Sequence, residues 1–118
     1  MLPELKRSHL VYSFKCNIGE CEHHNSEYIG ETETDLSRRL TMHKQNGAIK
    51  DHLKDIHNVG ITRQILENNT KIIHYSHNHL ELMISEAILI DKFKPIINTQ
   101  KNNTNFRPTL KFMNNRQR

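Results

Sequence analysis

The sequence has no tryptophan, only two cysteines, and an apolar fraction of 35% over 118 residues. Without tryptophan the core has no large aromatic anchor, and a core built from so little apolar material is small. A domain of this kind is marginal unless something else ties it together, and a metal ion is one candidate. Two cysteines are too few for a disulfide scaffold, which argues against a secreted disulfide protein. Reduced thiols in an intracellular setting are the expectation. Long hydrophobic runs are also missing. The longest aliphatic run is Ala87 to Ile90, far too short to span a bilayer, so no membrane partner is expected. The opening residues are interrupted by Glu4, Lys6 and Arg7, which does not read as an export signal. Finally, acid is missing from residues 101–118, which carry five cations. The whole chain carries +4, so the first hundred residues sum to −1 and the positive charge is concentrated in the last eighteen. A basic segment favours polyanions through counterion release.

Along the chain, residues 9–16 ("HLVYSFKC") read as a strand, and "NIGECEHHNS" as turn chemistry. Residues 27–30 read as a second short strand, most simply an antiparallel hairpin partner of the first. Thr32-x-x-Asp35 has the form of a capping box and predicts a helix starting near Thr32, with Leu36 and Leu40 one turn apart and Gly47 as its stop. Residues 48–57 carry Ile49, Leu53 and Ile56 at helical spacing. "TRQILENN" is open between extended chain and a helical turn, and "TKIIHYS" reads as a third strand. Residues 79–93 give the strongest helical pattern, with Pro95 as its stop. The expectation is an α/β (α+β) fold: a small three-stranded antiparallel sheet flanked by helices. Residues 1–8 are an N-terminal extension, 9–100 the domain, and 101–118 a basic tail.

Glu86 lies inside that last helix. Its neighbours one turn away on either side are Leu82, Met83, Leu89 and Ile90. That places a carboxylate on or beside the buried stripe, where an unpaired charge costs roughly several kcal/mol. A cationic partner, a proton or a metal ion would relieve the cost, as would a lean toward the Glu81–Ser85 face and water. Arg39 and His43, four residues apart, share one helix face, and Arg38 points roughly 100° away. A guanidinium donates two hydrogen bonds at once to a phosphate, so such a face can read phosphate, or simply solvate the helix.

Cys16-x4-Cys21 and His52-x4-His57 resemble a Cys2His2 zinc site. Five residues on a regular helix turn through roughly 140°, so the helix is expected to loosen near His57 for both imidazoles to reach one ion. His23 and His24 are rival ligands. Four protein ligands leave no open position, so such a zinc would be structural.

Tyr12 in the first strand, Tyr28-Ile29-Gly30 in the second, Arg39 and His43 on a helix, and Glu86 in "SEAILIDKFKPIINT" with Asn98 after it form an ordered set. This set resembles the GIY-YIG nuclease domain over roughly residues 9–100. The likeness implies a metal-dependent DNA endonuclease, with Tyr12, Tyr28, Arg39, His43, Glu86 and Asn98 in one active site. Glu86 would hold Mg²⁺ or Mn²⁺, and Tyr12 would act as base with help from Tyr28 or His43. Arg38 is the alternative to Arg39 as the site's arginine. Arg38, Arg39, Lys44, Lys101 and Arg107 would contact DNA. The first motif reads Leu10-Val11-Tyr12, with leucine where the family has glycine. "YIGET", the cysteine pair before it and the later histidine pair are most similar to the version carried by Penelope-like retroelements. That version implies a nickase serving element insertion, a reverse transcriptase part of the same element protein as partner, and a nuclear or otherwise intracellular location. A catalytically silent, zinc-stabilised nucleic-acid-binding module is the rival reading. Oligomeric state and target sequence stay open.

Overall fold

The computed structural model describes residues 3–24 and 26–100. Strand β1 (Leu10–Lys15) pairs antiparallel with β2 (Glu27–Thr32) on one side and β3 (Thr70–Tyr75) on the other. The sheet order is β2-β1-β3, so β1 is central. Its residues Leu10 to Phe14 are all buried, which is why "LVYSF" reads as a nearly continuous apolar run rather than an alternating one. This is the expected α+β architecture. Leu10, standing where the family has glycine, pairs regularly with Thr32 and Tyr75, and the left-handed backbone (φ 55°) falls on His9 before it.

Register decides what shares a face. Tyr12 lies opposite Gly30 and Phe14 opposite Tyr28, so the two tyrosines project to the same side. That side is packed by α1 (Leu36–Gln45) and α2 (Ala48–His57) through Leu36, Leu40, Ile49 and Leu53, with Leu66 of α3 (Arg63–Asn69). The opposite face carries Val11 and Ile29, buried against Leu82 and Ile90 of α4 (His79–Phe93). A short α5 (Ile96–Gln100) closes the domain and puts Ile97 into the first cluster.

Several local expectations change. The first helix is capped by Asp35, whose carboxylate accepts from the Arg38 N–H at 2.7 Å, and not by Thr32. Thr32 is still in the strand, paired with Leu10, and its hydroxyl bonds to Thr34 in the turn that follows. Gly47, with φ 120°, precedes α2 as its N-cap, while α1 has already ended at Gln45. The ambiguous "TRQILENN" stretch is helical, started by the Thr62 side chain accepting from Ile65 N–H. Helix α4 does end at Phe93, just before Pro95, and the short α5 begins beyond the proline. In α4 only Leu82 and Ile90 are buried, and Leu80, Ile84 and Ile88 remain 67%, 51% and 59% exposed because one narrow stripe meets the sheet.

Within the expected N-terminal extension, Leu5 is buried in the core, and the Arg7 carbonyl accepts from the Leu36 N–H at 3.0 Å. The expected basic tail, with Lys101 and Arg107, lies outside the described residues. No helix among the described residues is long and apolar enough to cross a membrane.

Candidate active site

Gly30 is the reason the two strand phenols can meet. They sit diagonally across the β1–β2 pair, with ring centroids 6.4 Å apart. A Cβ built on Gly30 would lie 2.6 Å from Tyr12 Oη and 2.8 Å from Tyr28 Cε2. Only a residue without a side chain leaves that space.

Helix α1 then brings Arg39 and His43 over the phenols. Arg39 Nε donates to Tyr12 Oη at 3.0 Å, and His43 Nε2 lies 2.5 Å from the same oxygen. The His43 ring meets both tyrosine rings edge-on, at 5.7 Å and 5.1 Å between centroids. Arg38 is exposed on the other side of the helix, so the side chain that reaches the phenol is Arg39. Lys44 is likewise exposed on α1.

Charge states follow from burial. Tyr12 is fully buried, and its phenol is pushed well above the usual tyrosine range by burial first and by Tyr28 next; Arg39 opposes the rise and Glu86 adds to it. His43 is pushed down to about 3 by burial, with the Arg39 charge adding to the effect. Burial works against the Arg39 charge, but Tyr12, Tyr28 and the Glu31 carboxylate outweigh it, and the guanidinium stays ionised. The site therefore consists of a neutral phenol, a neutral imidazole and one fixed cation. Because Arg39 donates to Tyr12 Oη, the phenol's own proton is available to His43 Nε2 in the tautomer that leaves this nitrogen unprotonated.

Glu86 is half-buried on α4, one turn from the buried Leu82 and Ile90, and its charge is felt at Tyr12. Such a carboxylate, at the lip of a site that already holds a phenol pair and a guanidinium, suits a hard divalent cation. Asn98 takes a more specific place than its sequence position suggested. Its Oδ1 accepts from the Ile29 N–H and its Nδ2 donates to the Ile29 carbonyl, both at 2.8 Å. The amide thus acts as one residue of an extra strand along the free edge of β2, and it fixes the strand that carries Tyr28 and Gly30.

A second cluster lies at the far end of β1. The ligand atoms of Cys16, Cys21, His52 and His57 all lie within 4.8 Å of one another. Cys16 Sγ to His57 Nε2 and Cys21 Sγ to His57 Nε2 are both 3.3 Å, and Cys21 Sγ to His52 Nε2 is 3.6 Å. Ligands on one tetrahedral zinc are separated by roughly 3.3–3.8 Å, so this set fits that ion. Burial pushes the Cys16 thiol up to about 11, which leaves it protonated until a metal takes the proton's place. The expected loosening of α2 does not occur. The helix runs regularly to His57 and ends at Asn58 in the left-handed conformation, and the reach of two long imidazole arms brings both rings together, 5.1 Å apart. His24 is exposed and outside the cluster.

The residues that sequence reasoning passed over are Gly30, present only as part of a motif, and Glu31. The signal for Gly30 was available in the adjacency of Tyr28 and a strand glycine. Glu31 Oε2 is buried with no hydrogen-bond partner, a fact that depends on tertiary packing.

A family model for the GIY-YIG catalytic domain matches residues 8–103, and the chain belongs to that family of nucleases. No curated protein and no solved structure matches the chain.

Two outcomes follow from this geometry. Gly30→Ala forces the tyrosines apart and is expected to cost about 1–3 kcal/mol of stability; urea unfolding measures it, and an unchanged midpoint would show that the phenols can yield. His43 stays neutral to well below the ordinary histidine value of about 6.5. Protonation then favours the unfolded chain, so its contribution is intact above about pH 6.5 and is lost as pH falls toward about 3. An NMR titration should show flat His43 ring shifts from pH 8 to pH 5, and a midpoint near 6.5 would refute the assignment.

Proposed function

We propose that this domain is a divalent-metal-dependent DNA endonuclease that nicks one strand by hydrolysing a phosphodiester. The single observation that carries the reading is Tyr12 Oη held between Arg39 Nε and His43 Nε2, with the Glu86 charge beside it. A Mg²⁺ or Mn²⁺ ion held by Glu86 would supply Lewis-acid polarisation of the phosphate and charge stabilisation for the leaving oxygen. Arg39 has a second edge of its guanidinium free of the phenol, and that fork can bind the non-bridging oxygens as charge builds on them. The attacking water forms the new bond to phosphorus while the bond to the leaving strand oxygen breaks. Its proton passes to Tyr12 Oη as the phenol's own proton moves to His43 Nε2. In this relay the phenol need not ionise in advance, because it receives one proton as it gives up another, and the cation that forms on His43 would be offset by the negative charge building on the phosphate. Tyr28 packs the ring pair in place, and Asn98 holds β2.

Exposed Arg38 and Lys44 on α1 would follow the DNA backbone on either side of the site, with Lys101 and Arg107 of the basic segment adding counterion release. The Cys16, Cys21, His52 and His57 cluster would hold a structural Zn²⁺ that ties the turn after β1 to α2. The convergence of a cysteine pair before the second tyrosine motif with a later histidine pair supports placing the chain with the Penelope-like version of the family. In that reading it serves retroelement insertion beside a reverse transcriptase part, in the nucleus or elsewhere inside the cell.

Supercoiled plasmid should be nicked in Mg²⁺ and left intact in EDTA, with Glu86→Gln slower by about 100-fold or more while DNA retention persists. Wild-type rates in Glu86→Gln would remove the assignment, and retention without any cutting would leave a binding module. Metal analysis of purified protein should find about one zinc per chain. Cys16→Ser should lose that zinc and several degrees of melting temperature, and a zinc-free wild-type protein of equal stability would count against the structural site.

A further inference from the structure

Glu31 follows Gly30 on β2 and lies directly opposite Val11, on the sheet face that α4 covers. Two residues back, Ile29 projects from the same face and belongs to the buried cluster with Leu82 and Ile90. Glu86 is one helical turn from each of those two. Both carboxylates therefore stand at the seam between β2 and α4. Glu31 Oε2 is buried there with no hydrogen-bond partner. A buried carboxylate oxygen without a donor costs free energy that neighbouring apolar packing cannot return. The neighbourhood offers no relief from acids, since Glu86 carries the same charge. Among the described residues the cation that acts with it is Arg39, which it helps to keep ionised and whose Nε is already given to Tyr12. His74, opposite Val11 from the other strand, contributes a second buried unpartnered atom, Nε2, on the same face.

We infer that Glu31 is a second carboxylate of the divalent-cation site, joining Glu86 across the β2–α4 seam. The inference rests on the metal-dependent nuclease reading above and deepens it. A small hard cation is held by one or two carboxylates with the rest of its shell left to water and substrate phosphate, so two side chains suffice. The arrangement also gives Gly30 a second consequence: it brings the strand close under the phenols just before the residue that would share the ion. Glu31 accordingly loads the ion before DNA arrives, while Glu86 alone would depend on the phosphate to complete its hold.

Mn²⁺ binding to the full 118-residue chain, followed by electron paramagnetic resonance without DNA, tests this directly. Glu31→Gln and Glu86→Gln should each weaken Mn²⁺ binding by about tenfold or more, and Glu33→Gln, an exposed carboxylate paired with His79, should not. Zinc content should be the same in all. Thermal melts give an independent readout: the Mn²⁺-dependent rise seen for the wild type should shrink in Glu31→Gln. If that variant does not fold, Glu31→Asp keeps the charge with a shorter reach and should also weaken binding. Wild-type Mn²⁺ affinity in Glu31→Gln would overturn the inference, even if nicking slows, since Glu31 would then act only on Arg39. Failure of the wild type to bind Mn²⁺ would overturn it as well. Absence of nicking by a wild type that does bind Mn²⁺ through both carboxylates would instead sink the nuclease reading alone.

Discussion

The hydroxyl of Tyr12 is the point on which this domain turns. It sits on the central strand with no exposure, takes a hydrogen bond from Arg39 and faces His43 Nε2. Three requirements meet in that one group. The strand register must set it against a glycine, α1 must start at Asp35 so that residues 39 and 43 face inward, and α1 must lie on that side of the sheet. A slip of one residue in either strand would turn the phenol to the opposite face, toward α4.

Electrostatics in this site is governed by dehydration more than by pairing. Burial is the largest cause acting on Tyr12, on Arg39 and on His43, and it leaves the phenol and the imidazole uncharged beside one guanidinium. The phenol and imidazole share a short hydrogen bond and stay neutral at rest, and a proton delivered to His43 makes a buried cation beside Arg39 that needs negative charge nearby to offset it. Glu86 is half-buried at the seam between β2 and α4, and Glu31 Oε2 is buried there without a hydrogen-bond donor.

The Cys2His2 cluster works on another part of the fold. It brings the turn after β1 against the middle and the C-terminal end of α2, and α2 in turn buries Ile49 and Leu53 against the phenol-bearing side of the sheet. A chain with 35% apolar residues has a limited core, and a metal held by these four side chains would add a tie to that helix. Asn98 performs a similar task with hydrogen bonds: its amide occupies the free edge of β2 and keeps the strand beneath Tyr28 in place.

The strands, the extent of α2 and α4, the antiparallel hairpin and the ligand types of the cysteine–histidine cluster were legible in the sequence, because each depends on spacing within a few residues. Leu82 and Ile90 mark the buried stripe of α4, and the two pairs of metal-ligating side chains stand out by residue type. The cap of α1 was misplaced by three residues because Thr32 and Asp35 both satisfy local capping chemistry, and only the pairing of Thr32 with Leu10 decides between them. Which of two adjacent arginines meets the phenol, how far α2 stays regular, what Asn98 binds and why Glu31 Oε2 is buried without a donor were left to the tertiary structure. Those facts depend on strand register and on which face each helix covers, and such contacts join residues dozens of positions apart that no local pattern relates.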